Sequence, residues 1–285
     1  MNIRHFILAI GLATASLLQP LQAGFFDNVK NIFWKQEAPP HVIKVLIMHD
    51  QPGALIEVRG KYQVYDPANT NHLTSRLMGR RQYLQPTHSG IKWGEEFPGI
   101  HQLQIVPDDS NTATIIDGKV YKGNLYVYDI GGSISIVNEL PIEDYLMATM
   151  TPAIDPELPP ESLAALSIAA RTQALYYSQH PKNRFWSVDA TKVGYEGIGN
   201  IQNGPVAQAI LSTKNMVMSK TGFYEGVTPF GAQWGSQNGG KSQTDDIVFA
   251  RITLYDVEAL AKRGENAAQI LGKAYPNTMI MLATP

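Results

Sequence analysis

Residues 138–172 read Asn138-Glu-Leu-Pro-Ile-Glu-Asp-Tyr-Leu146, then a loop closing on Pro159-Pro160, then Glu161-Ser-Leu-Ala-Ala-Leu-Ser-Ile-Ala-Ala-Arg-Thr172. A proline pair is tolerated before a helix or in its first turn, and Glu161 behind it sits where the helix dipole favours an acid. The spacing predicts a helix from Glu161 to about Tyr177. Leu163, Leu166, Ala170, Ala174 and Tyr177 make one apolar face, rich in alanine where a neighbour can approach closely. Tyr145 and Leu146 are expected in the core against that face.

Upstream of this stretch the pattern is β. Val42–Ile47 and Ala54–Val58 read as buried strands, and Lys61–Asp66 alternates polar with apolar residues before Pro67 ends it. Gln102–Val106, Ala113–Ile116, Gly123–Tyr128 and Ser133–Val137 continue the series, with Asp117-Gly118 and Gly131-Gly132 placed for tight turns. Downstream, helices are expected from Gly204-Pro205 to Leu211, from Asp256 to Arg263 and from Asn266 to Tyr275, and Met216–Ser219 with Phe223-Tyr224 reads as a hairpin. The fold class is therefore α+β: an antiparallel, sheet-rich N-terminal half and a mixed helix/strand C-terminal half forming a cleft. One domain over residues 41–285 is expected, divisible into a β-rich lobe (41–137) and an α/β lobe (138–285).

Residues 1–23 have the layout of a secretory signal: Arg4 and His5, a mostly apolar run from Phe6 to Leu18, and a Leu21-Gln22-Ala23 cleavage site. The run is shorter than the ~20 residues of a membrane-spanning helix; if it were retained it would act as an anchor. An exported chain beginning at Gly24, in the periplasm or cell envelope, is the expectation. Residues 24–40 follow as an amphipathic segment and linker. Phe25, Phe26, Val29, Ile32 and Phe33 recur at near-helical spacing. That face suits packing on the domain or a peripheral membrane contact through 25–33.

Apolar residues make up 44% of the 285-residue chain and charged residues 17%, ordinary for a globular protein. The net charge of −2 gives no electrostatic reason to expect nucleic acid, and it is compatible with an uncharged polymer such as a glycan strand. The absence of cysteine removes thiolate chemistry and Cys-based metal sites. The seven histidines show no HExxH or HxH spacing, so neither a metal nor another cofactor is expected.

The order Leu140-Pro141…Glu143-Asp144-Tyr145-Leu146…Ala169-Ala170-Arg171-Thr172 resembles the signature of the stage II sporulation protein D (SpoIID) / amidase-enhancer family, whose members act on bacterial peptidoglycan. Tyr121-Lys122-Gly123-Asn124-Leu125, Asp189-Ala190-Thr191 with Tyr195-Glu196-Gly197, Ala209–Met218 and Gly264–Leu271 are similar to further family elements, so the resemblance runs over roughly His41 to Leu282. Enzymatic members are lytic transglycosylases that cut peptide-free glycan strands. The resemblance implies a catalytic glutamate in the loop, usually within a Ser-Glu-Met-Pro run. Counting forward from Leu140-Pro141 or back from Ala169–Thr172 needs no gap and lands on Ala153.

Alanine can neither protonate a leaving glycosidic oxygen nor stabilise charge, so the acid that this reaction needs is missing at its family position. Asp155 and Glu157 are the acids within reach, although Pro156 and Pro159 restrict the loop, and both also suit a solvent-facing turn. Two other family segments are altered as well. A histidine followed by Ser-Ser-Ser-Gly-Gly appears here as Gly235-Ser236-Gln237-Asn238-Gly239-Gly240. A Gly-His-Gly-x-Gly-x-Ser-Gln segment falls on Ile247–Leu254, where Val248 and Leu254 replace polar groups and Thr253 keeps the hydroxyl.

Groups that could still hold a sugar are Arg171, Tyr195, Trp234, Ser236, Gln237, Asn238 and Thr253. Tyr195 and Trp234 are equally suited to a core, and Arg171 to an ion pair with Glu143 or Asp144. Three functions remain open. The first is an exported, non-catalytic binder of peptidoglycan glycan strands that localises or stimulates a cell-wall amidase or other hydrolase. The second is a lytic transglycosylase using Glu157 or Asp155, and the third is a structural envelope protein.

Overall fold

The computed structural model describes residues 39–76, 79–221, 226–235 and 251–283. The leader and all but the end of the amphipathic segment lie outside them. The N-terminal half is built from β1 (Val42–Gln51), β2 (Ala54–Arg59), β3 (Tyr62–Asp66), β4 (Asn71–Arg76), β5 (Gly79–Thr87), β6 (Gly90–Trp93), β7 (Glu95–Pro98), β8 (Gln102–Pro107), β9 (Ala113–Ile116), β10 (Lys119–Tyr121), β11 (Asn124–Ile130) and β12 (Ser133–Pro141). There follow α1 (Ile142–Met150), α2 (Pro160–Gln179), β13 (Val188–Asp189), α3 (Ala190–Val193), α4 (Pro205–Ser212), β14 (Met216–Lys220), β15 (Gln233–Gly235), β16 (Arg251–Thr253), α5 (Leu254–Lys262), α6 (Ala267–Ala274) and β17 (Thr278–Leu282). The α+β class expected from the sequence is the class observed.

Period-two alternation decides which way each strand faces. Along β11, Leu125 and Val127 enter the main core while Tyr126 and Tyr128 face the other side of the sheet. The strands form a seven-stranded sheet, in the order β13-β1-β12-β11-β8-β3-β4, and a six-stranded sheet, β10-β9-β2-β5-β6-β7. Within these sheets the neighbours run antiparallel except β1 and β13. One apolar cluster joins both sheets to the helices, from Ile56, Leu84 and Trp93 through Leu103 and Ile136 to Leu163, Leu166 and Ile210.

The strand β12 delivers the chain into α1. Pro141 ends the ladder, and the first helical amide, Ile142 N–H, donates to His41 O at 2.9 Å, so backbone rather than a side chain satisfies one orphan donor. Helix α2 starts with Pro160 in its first turn and buries residues on most of its circumference, including Leu163, Leu166, Ala169, Ala170 and Ala174. Tyr145 and Leu146 are buried in the same cluster, and α1 packs on α2.

Several parts of the chain differ from the sequence reading, which marks neither helix α1 nor strands β13 and β15 to β17. Strands β4 to β7 and β10 are not marked in the sequence either: Asn71–Arg76 has Leu73 as its one apolar residue, and Pro86 interrupts β5, so neither shows clean alternation. Strand β14 pairs with β17, Met216 opposite Leu282 and Lys220 opposite Thr278, rather than with Phe223-Tyr224, which lie outside the described residues. A partner some sixty positions away leaves no local signature. No helix among the described residues is long and apolar enough to cross a membrane.

Candidate functional site around helices α1 and α2

Arg171 sits on α2 with its guanidinium buried, 3% exposed. Its Nε donates to Glu143 Oε1 at 2.7 Å and its Nη2 to Glu143 Oε2 at 2.9 Å, a two-pronged pair between α2 and α1. Nη2 also donates to Ile210 O (2.9 Å), and Nη1 to Met216 O (3.1 Å) and Thr213 Oγ1 (3.4 Å). A planar fork of donors suits this task, because it pairs with a carboxylate and caps the carbonyl end of α4 together. The next residue, Thr172, accepts from Met218 N–H at 2.8 Å and donates to Ile168 O at 2.7 Å, fixing β14 to α2. The pairing with Glu143, one of the alternatives open from the sequence, is what forms, so Arg171 presents no free donor fork to a sugar.

Tyr195 is also a core residue, not a sugar platform. It is 3% exposed, and its hydroxyl donates to Asn138 Oδ1 at 2.6 Å. Asn138, fully buried on β12, donates in turn to Lys122 O and Asn124 O at 2.8 and 3.0 Å. Burial pushes the Tyr195 hydroxyl well above the usual tyrosine range, with Tyr121, Asp144 and Tyr145 adding to it. Gly123, φ +83°, is required here: a Cβ would lie 2.3 Å from Glu139 O. Gly197, φ +76°, lets the chain after Tyr195 close on β10, where Ile198 N–H donates to Val120 O at 2.8 Å. Asp189 caps α3 by accepting from Thr191 N–H at 2.9 Å.

The loop from α1 to α2 is anchored on both sides of position 153. Thr151 is buried, donates to Met147 O at 2.7 Å and accepts from Gln202 N–H at 3.1 Å. Ile154 is buried 4% exposed, and the amides of Ala153 and Ile154 both donate to Met150 O, at 3.0 and 2.9 Å. Ala153 itself is exposed. Asp155 is committed to the loop, its Oδ1 accepting from Glu157 N–H at 2.9 Å, and both acids are exposed.

Trp234 lies on β15, partly buried against the core, and β15 contacts α2. It pairs in parallel with β16, Trp234 opposite Ile252 and Gly235 opposite Thr253. Thr253 caps α5, its hydroxyl accepting from Asp256 N–H at 3.1 Å and donating to Asp256 Oδ2 at 2.6 Å. Leu254 packs on the core. Ser236, Gln237, Asn238 and Val248 lie outside the described residues. The structure thus brings Trp234 and Thr253 onto adjacent strands and puts Arg171 and Tyr195 inside.

Beside these strands lies a cavity of about 340 Å³ lined by Lys220, Thr221, Phe230, Tyr275 and Asn277 among others, which sequence reasoning missed. Tyr275 Oη donates to Gln233 O at 2.6 Å and ties its wall to β15. Its residues come from the end of β14, the segment before β15 and the turn into β17, so no run of sequence could have displayed it.

The segment that carries the Arg171 clamp, the Asn138–Tyr195 bond and position 153 is also the one that matches a known family. Residues 131–219 match the family described as Stage II sporulation protein, SpoIID. The chain belongs to the SpoIID family. Relatives extend the likeness past that domain: an uncharacterized protein of Chlamydia pneumoniae is 34% identical over 261 residues, 89% of this chain and 86% of its own length. Another from Chlamydia muridarum is 31% identical over 84% of this chain and 77% of its own. A Brachyspira hyodysenteriae protein is 28% identical over 54% of this chain and 41% of its own. The SpoIID match spans β12 to β14, so the region around α1 and α2 is the family's own, while the sheets before it are shared with the chlamydial relatives.

Proposed function

We propose that this SpoIID protein is exported, binds peptidoglycan glycan strands and localises or stimulates cell-wall remodelling without catalysis of its own. SpoIID membership gives a cell-wall related function. The observation that carries the finer reading is position 153: a loop held by buried Thr151 and Ile154 presents an exposed alanine where the resemblance implies an acid. A proton donor must be positioned as well as present. Asp155 spends its Oδ1 on the backbone of Glu157, which argues against the alternative of a lytic transglycosylase with a displaced acid.

Incubation with peptide-free glycan strands and analysis for anhydro-sugar ends tests the catalytic half. No product is expected. Robust release by the unmodified protein, abolished in Asp155→Asn or Glu157→Gln, would establish the enzyme instead. Co-sedimentation with purified peptidoglycan tests the binding half: the protein should pellet, and Trp234→Ala should weaken this with little change in melting temperature. Mass spectrometry of the native protein should find Gly24 at its terminus.

A further inference from the structure

The free edges of the sheets are guarded, among the described residues, with one exception. In the six-stranded sheet β7 carries Glu95, Glu96 and Pro98, and β10 is three residues long and starts with Lys119. In the seven-stranded sheet β4 carries His72 and Arg76, and β13 has two residues. Strands β15 and β16 have three residues each. Charge, proline and shortness all discourage pairing with another chain. Strand β17 has none of these guards. It reads Thr278-Met-Ile-Met-Leu282, and Met279, Ile280 and Leu282 are 49%, 37% and 60% exposed.

The ladder between β14 and β17 shows which backbone groups are left over. Ala283 N–H donates to Asn215 O at 2.8 Å and Thr221 N–H to Asn277 O at 3.1 Å, one step beyond each end of the register. Antiparallel ladders alternate, so Val217, Ser219, Met279 and Met281 bond across the pair while the even-numbered residues turn their N–H and C=O groups outward. On β14 the outward groups are taken. Met218 N–H donates to Thr172 Oγ1 at 2.8 Å, Met216 O accepts from Arg171 Nη1 at 3.1 Å, and Lys220 N–H donates to Thr228 O at 3.2 Å. On β17 the outward backbone groups of Ile280 and Leu282 have no partner among the described residues.

We infer that β17 is the contact strand of a symmetric dimer, pairing antiparallel with β17 of a second copy of this chain. The strand is close to a palindrome about Ile280. A two-fold axis there sets Ile280 opposite its own copy, Met279 opposite Met281 and Thr278 opposite Leu282, and the outward groups of Ile280 complete a hydrogen-bonded pair. With no charge on the strand, self-pairing brings no like charges together. A foreign extended peptide could use the same edge, but an uncharged Met-Ile-Met run offers nothing to select one. The two small sheets would join as β14-β17-β17-β14, and an isologous contact of this kind closes on itself. Five paired residues span about 17 Å. That is too short to cover the ~1,200 Å² of a lasting interface, so the dimer is weak and dissociates on dilution. The contact is separate from position 153 and from Trp234, and it stands whether or not the chain binds glycan.

Sedimentation velocity of the full chain from about 1 to 100 µM tests the inference and should show monomer passing into dimer. Ile280→Lys sets two ammonium groups opposite each other across the axis and should weaken the dimer at least about tenfold. Leu282→Lys should also weaken it while the melting temperature of the dilute protein holds, which guards against loss of fold in the first variant. Tyr255→Lys, an exposed change on α5, should leave the dimer as it is. The chain has no cysteine, so introduced thiols report the register. Ile280→Cys should oxidise to a linked dimer, because Cα atoms of such a pair lie about 5.5 Å apart, within disulfide reach. Thr278→Cys, which faces Leu282 of the second copy, should not. A chain that stays monomeric throughout, a dimer untouched by both β17 lysine variants, or equal cross-linking in Thr278→Cys and Ile280→Cys would each overturn the dimer. So would an Ile280→Cys thiol closed to a maleimide in the dilute monomer, which would put another segment of the chain on this edge.

Discussion

The two ends of helix α1 have been treated differently. At its start a partly exposed Glu143 takes both prongs of the buried Arg171, and Asn138 just before it, fully buried, holds the Tyr195 hydroxyl. At its end the loop is equally well anchored, by Thr151 and Ile154, but what it presents to solvent is Ala153. The comparison teaches that the polar side chains at the first end are consumed in assembly, whereas the second end spends buried groups on holding its loop and leaves position 153 to solvent. Signature residues at the first end serve assembly, so their presence reports on fold and not on activity.

The sharpest way to break that comparison is to attack the first end. Arg171→Met should cost about 3–5 kcal/mol, because Glu143 would be left partly buried without its partner; urea titration measures this. Arg171→Lys should also lose much of the stability, since an ammonium cannot reproduce the two-pronged contact. Leu166→Ala, fully buried on α2, should cost roughly 2–5 kcal/mol through lost burial and a cavity. A change within about 0.5 kcal/mol would mean that the α1–α2 packing described here is wrong.

Tyr195→Phe removes one hydrogen bond and leaves Asn138 Oδ1 without its hydroxyl donor, at a cost of about 1–3 kcal/mol. Alkali probes the tyrosines on both faces. Burial pushes Tyr121 up to about 12, with Asp117 and Glu196 adding, and Tyr128 up to about 12, with Glu139 adding. A raised value in the folded state means that the unfolded chain ionises first, so stability is complete below pH about 10 and falls between pH 10 and 12. Circular dichroism of urea midpoints across that window should show the decline, and a flat profile would contradict the burial.

The smallest effect is expected at the other end of α1. Ala153→Glu, on an exposed loop, should shift stability by no more than about 0.5 kcal/mol. It should restore little glycan cleavage, because a lone carboxylate without tuned neighbours is neither held nor adjusted in pKa. Substantial activity in this variant would show that the rest of the catalytic setting survives after all.

Sequence alone determined the β-rich first half, the helix behind Pro159-Pro160, its apolar face and the family likeness, because these rest on local periodicity and on motif spacing. The match of Ala153 to the family's acid position stays what the resemblance implies, by counting without gaps. Tertiary structure decided the rest. Whether Arg171 faced a ligand or Glu143, whether Tyr195 stacked on sugar or bonded Asn138, and which strand β14 would join all depend on what the fold brings near. Arginine and tyrosine are chemically suited to both outcomes, and a partner 28 residues away, as for Arg171, or 57, as for Tyr195, leaves no trace beside them. Burial chose between the outcomes: once these polar groups were enclosed, each needed a fixed protein partner, and the site lost them as ligand groups for the same reason that the fold gained them.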